Sequence, residues 1–85
     1  MLGQRLTIRI VTAQYLSTQK VHKYMYEVMS RKSPFYGSVD VAYSDDGRMR
    51  AGHTYYVTMN DDASYPRIAK CHREMDQTNL ETAKR

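Results

Sequence analysis

Residues 5–12, Arg-Leu-Thr-Ile-Arg-Ile-Val-Thr, alternate strictly at first, with Leu6, Ile8 and Ile10 on one side and Arg5, Thr7 and Arg9 on the other. A two-residue period fits a half-buried β-strand and no helix. The pattern returns in Gly37–Tyr43, where Val39, Val41 and Tyr43 are read as the inward set, and in His53–Met59, which is rich in β-branched and aromatic residues. Asp45-Asp46-Gly47 and residues 60–64 read as turns between these runs. A last strand is expected over Pro66–Arg73, with Pro66 at its first position, where a missing N–H does least harm. The chain has 85 residues, enough for one domain with a thin core. That domain is expected over residues 1–75, followed by a polar C-terminal tail at 76–85.

Lys20–Ser30 fits two periods. Val21, Tyr24, Met25, Val28 and Met29 match helical spacing, whereas a strand would put His22, Tyr24, Tyr26 and Val28 on one face. Ser17 and Thr18 precede the segment, but neither has Glu three residues on to complete a capping box. The helical reading gives βαβββ; the extended reading gives five strands.

Several classes of function are disfavoured by what the chain lacks. One cysteine, Cys71, permits neither an internal disulfide nor a zinc site built on cysteine pairs, and it reads as a small buried apolar residue. His22, His53 and His72 share no metal-type spacing. Cys71 and His72 are adjacent, so on a strand they point apart and cannot form a nucleophile–base pair. Neither a phosphate-binding loop nor a nucleophile elbow occurs. The expectation is a protein without catalysis, metal, cofactor or small-molecule substrate. No apolar run approaches a membrane span, and none follows Met1 as a secretory leader would, so the cytoplasm is the expected compartment.

The charge points to a partner. Net charge is +4, and residues 1–36 carry six cationic side chains against the single acid Glu27. Four of the five acids between residues 37 and 66 sit in the pairs Asp45-Asp46 and Asp61-Asp62. Acids confined to turns leave strand faces free to be basic, as a polyanion binder requires. Of nine aromatic residues eight are Tyr, and several stand beside cations: Lys20, Lys23, Tyr24 and Tyr26; Arg31, Phe35 and Tyr36; Tyr65, Arg67, Lys70 and Arg73. Rings with cations suit an unpaired polynucleotide, whose bases stack while its phosphates are neutralised. The ordinary alternative is that tyrosines fill half-buried strand positions; Tyr43, Tyr55 and Val57 are assigned to the core on that basis.

Several stretches together resemble the filamentous bacteriophage single-stranded DNA-binding proteins of the gene V type. They are a first strand, the basic segment Gln14–Lys23 followed by Tyr24, the run Phe35–Val41, the Ala51-Gly52 step before an aromatic strand, a turn ending in Tyr65, and a basic last strand. The resemblance covers roughly residues 5–73. It implies a five-stranded antiparallel OB-like barrel, a homodimer, and cooperative coating of a phage replication intermediate in the host cytoplasm. Carried over by position, Lys20, Lys23, Tyr24 and Tyr26 would lie on a DNA-binding wing. Tyr36 would lie in the groove, Tyr65 at an aromatic tip supplied by the partner copy, and Lys70 and Arg73 at phosphates; Arg31, near Phe35 and Tyr36, joins them as a nucleic-acid-binding candidate from the mixture of rings and cations. Two other readings stand beside it: a small phage-type inhibitor of a host protein, and an RNA-binding module built on the helical reading of residues 20–30.

Overall fold

The computed structural model describes residues 4–60 and 64–75. They form five strands and no helix: β1 (Gln4–Leu16), β2 (Val21–Val28), β3 (Val39–Ser44), β4 (Thr54–Met59) and β5 (Ile68–Met75). All named strand pairings are antiparallel, in the order β3-β2-β1-β4-β5. The fold is all-β, as the five-strand reading expects, and the helix of the βαβββ alternative is replaced by β2. The expected tail at 76–85 lies outside the described residues.

Helical spacing fails for residues 21–28 because both long edges of the segment are paired. Ile10 lies opposite Tyr26 on one side, and Asp40 lies opposite Tyr26 on the other. Tyr24, Tyr26 and Val28 then share the core face at a period of two. β1 is the centre of the sheet. Its first half, Gln4–Arg9, pairs with β4; its second half, beyond a bulge at Val11, pairs with β2 alone. The segment expected as a basic loop, Gln14–Lys23, is therefore a β-hairpin arm closed by a turn at residues 17–20. Lys20 takes the left-handed position there, at φ 55°.

The core gathers on the concave face. Leu6, Ile8 and Ile10 of β1 are buried as the alternation predicts, with Tyr55 and Val57 of β4. β3 is turned over relative to expectation. Val39 is 56% exposed and Val41 and Tyr43 are only half-buried, while Ala42 and Ser44 face inward. The register explains this: Ala42 lies directly opposite Tyr24, and its methyl leaves room for the phenol ring on the same face. A larger side chain at 42 would compete with that ring for one volume. Cys71 is half-buried against the edge of this core.

The loop between β3 and β4 seals one end. Asp46 accepts hydrogen bonds from the Arg48 backbone N–H at 2.9 Å and from Arg48 Nε at 3.0 Å. The bond from the Arg48 side chain holds the Asp46 carboxyl below its ordinary range. The turn inserts Met49 into the core. The buried Tyr24 hydroxyl donates to the Asp46 carbonyl at 2.6 Å, and the Arg50 backbone N–H donates to the Tyr55 hydroxyl at 2.8 Å. Both phenols thus bury their rings and still satisfy their oxygens. The sheet curls until β3 approaches β5, where a single parallel bridge joins Tyr43 to Arg67. The sheet stays unclosed beyond that bridge, a curled sheet rather than a continuous barrel. Among the described residues no helix is long and apolar enough to cross a membrane.

Candidate nucleic-acid interface

With the concave face filled, the convex face of β1, β4 and β5 is left to solvent. Strand register lays two rows of side chains across it. Arg5 lies opposite Thr58, and Thr58 opposite Lys70; Thr7 lies opposite Tyr56, and Tyr56 opposite Arg73. Neighbouring strands are about 4.8 Å apart, so each row spans roughly 10 Å from first to last. Bulges at Ala69 and His72 break the β5 register and bring His72 onto the same face. The His72 Nε2 is 2.5 Å from the Thr58 hydroxyl, and its ring centroid is 5.5 Å from that of Tyr56. The Arg73 guanidinium lies over the Tyr56 ring at 6.0 Å.

The charges on this face are largely uncompensated. Arg9 is neutralised by Glu27 at 2.6 Å, Arg48 by Asp46 at 3.0 Å and Arg67 by Asp45 at 3.0 Å. Arg5, Lys70 and Arg73 make no ion pair among the described residues, and Glu74 is turned to His53 at 2.8 Å. The His72 imidazole titrates below its ordinary range, first through desolvation and then through the positive charges of Arg5 and Lys70. Past β1 the positive surface continues. Arg5 borders a shallow cleft of about 550 Å³ that Arg31, Lys32 and Ser33 also line. The cleft keeps its shape because the Thr7 backbone N–H donates to the Ser30 hydroxyl at 2.7 Å, tying the 29–38 connection to β1.

Of the residues marked from sequence, Lys70, Arg73 and Arg31 fall on this continuous surface. Tyr36 stands at its margin, 50% exposed, with the Arg31 guanidinium 5.9 Å above its ring. Tyr24 and Tyr26 do not belong to it. They are 1% and 7% exposed and offer no ring face to a base, because the register of β2 turns them into the core. Burial pushes the Tyr24 hydroxyl up to about 12, with Asp46 adding to the shift, and raises Tyr26 as well. Lys20 and Lys23 lie apart on the hairpin arm. Tyr65 is 40% exposed, but Tyr43 stacks on one face at 4.9 Å and 5°, and Arg67 sits 5.6 Å from its centroid. Its ring closes the seam between β3 and β5.

Sequence reasoning passed over Arg5, Tyr56 and His72. The signals were present: Arg5 alternates with Leu6, and two successive tyrosines on a strand must point to opposite faces, so the burial of Tyr55 exposes Tyr56. No family model matches the chain, and neither a curated protein nor a solved structure matches it.

Proposed function

We propose that this chain is a nucleic-acid-binding protein of the open-face sheet type, holding its ligand across strands rather than in a closed pocket. Its ligand is single-stranded DNA, bound without sequence preference. The observation that carries the reading is the pair of crosswise rows on the convex face, where Arg5, Lys70 and Arg73 make no ion pair among the described residues and flank the half-exposed ring of Tyr56. Phosphates would lie along the cations, and a base would stack on Tyr56. A second base would reach Tyr36 across the Arg31–Lys32 cleft. A paired base presents no free face to such a ring, so single strands are favoured over duplex.

The test is a titration with oligo-dT followed by tyrosine fluorescence, since the chain has no Trp. Quenching is expected with oligo-dT, and much less with duplex of the same length. With three to five phosphate contacts per copy, log K should fall against log salt with a slope of about −2 to −3.5. Flat salt dependence, or saturable binding without quenching, would remove the reading. Oligo-U in place of oligo-dT reports whether RNA is taken as well. A homodimer is part of the proposal. Phe35 and Val39 are 58% and 56% exposed beside the β3 edge, apolar surface that a second copy would cover. Sedimentation should give twice the 9.9 kDa chain mass, and a monomer at micromolar concentration would refute that part.

A further inference from the structure

We infer that His72 takes up a proton when a phosphate of the bound strand settles between Arg5 and Lys70, so that single strands are held more tightly below neutral pH. The inference rests on the binding reading above and specifies how that face is regulated.

The geometry places His72 at the junction of both rows. From β4 it meets the Thr58 hydroxyl and the Tyr56 ring. Arg5 of β1 and Lys70 of its own strand act on it as positive charges, and Arg73 is its chain neighbour. The nearest acid in sequence, Glu74, is engaged by His53 at 2.8 Å, so no carboxylate among the described residues is seen to favour the imidazolium. In the free protein this company opposes protonation. A phosphodiester placed between Arg5 and Lys70 reverses the sign of the local field. It cancels part of the repulsion and adds an anion beside the imidazole. Thr58 leaves the second ring nitrogen, Nδ1, without a hydrogen-bond partner among the described residues. The imidazolium would therefore have a donor to offer the phosphate.

The linkage has a definite sign. If binding raises the proton affinity of His72, then protons raise the affinity for DNA, and the gain appears as pH falls through the histidine range. A rise of one pKa unit corresponds to a tenfold gain. The imidazolium also counts as one more phosphate contact, which steepens the salt slope by about 0.7.

Oligo-dT is the suitable probe, because neither thymine nor the phosphodiester titrates in this range. Dissociation constants would be measured at about pH 5.5 and about pH 7.5, across the window where histidine changes charge. For a one-unit rise the expected result is about fivefold tighter binding at the lower pH, short of the tenfold limit because both pH values lie within the titration, with the steeper salt slope. The His72 imidazole followed by NMR should titrate higher with DNA than without. His72→Gln, which can still hydrogen-bond Thr58, should lose both pH effects, whereas His53→Gln should keep them. Equal affinity at both pH values, or a pH effect that survives in His72→Gln, would overturn the linkage and leave the binding reading standing. Absence of binding at either pH in low salt would overturn both.

Discussion

Replacing Tyr24 separates a core role from a ligand role. Its side chain is among the largest fully buried in the described protein, and its hydroxyl donates to the Asp46 carbonyl at 2.6 Å. Tyr24→Ala removes the ring and leaves a void opposite Ala42, whose methyl cannot fill it. Truncations of this kind cost about 3–5 kcal/mol. A chain of 85 residues commands only about 4–13 kcal/mol in all, so the loss removes from about a quarter of that stability to the whole of it. Tyr24→Phe keeps the ring and removes only the donor, which should cost about 1 kcal/mol. The assay is urea unfolding followed by far-ultraviolet circular dichroism, with oligo-dT binding measured on the folded Phe variant. That variant should bind as the parent does. If Tyr24→Ala unfolded within about 1 kcal/mol of the parent, well short of core truncation, and lost DNA binding, the assignment of Tyr24 to the interior would be wrong.

Three further outcomes are expected. Tyr56→Ala should weaken oligo-dT binding by about 1–3 kcal/mol while costing less stability than Tyr24→Ala; unchanged affinity would take Tyr56 out of the interface. Gly47→Ala should destabilise by about 1–3 kcal/mol, because its new methyl would collide with the His22 imidazole. That ring is held 4.8 Å from Tyr15 and 6.3 Å from Tyr24, and a neutral effect on the urea midpoint would show that it moves aside freely. Stability should fall as pH rises from about 10 to about 12. The unfolded chain ionises Tyr24 near its ordinary value while the fold keeps the phenol neutral up to about 12. Tyr24→Phe should flatten that decline, leaving the smaller part due to Tyr26, and an identical alkaline profile in the variant would contradict the assignment.

The strand scaffold was legible wherever one face is aliphatic. Leu6, Ile8 and Ile10 admit one period and one inward side, and they are the interior of β1. Legibility failed where the residue type suits both environments. In β3 the valines look like core, yet the phase is set by Ala42, whose small side chain accommodates a tyrosine from the next strand. A pairing between strands is not written in either strand alone. The same ambiguity divided the tyrosines. A phenol has an apolar body and a polar tip, so Tyr24 beside Lys23 gives no local sign that its ring is dry, whereas the assignment of Tyr55 to the core already implied a wet Tyr56. The basic character of the last strand was visible in Lys70 and Arg73. Arg5, some sixty residues away in the chain, joins them only through β4.

The Val11 bulge has a mechanical consequence. Ile8 and Arg9 are paired on both sides; from Thr12 to Leu16 β1 has β2 alone for a neighbour, and Val11 to Lys20 are all exposed except Leu16. β3 backs β2 as far as His22, so only the tip from Leu16 to Val21 projects as a two-stranded ribbon, and such a ribbon is marginal on its own. Amides there should trade hydrogen for deuterium long before those of Ile8 or Val57. The molecule thus joins a stiff body to a short compliant tip carrying Lys20, and that tip can bend without drawing on the order of the interior.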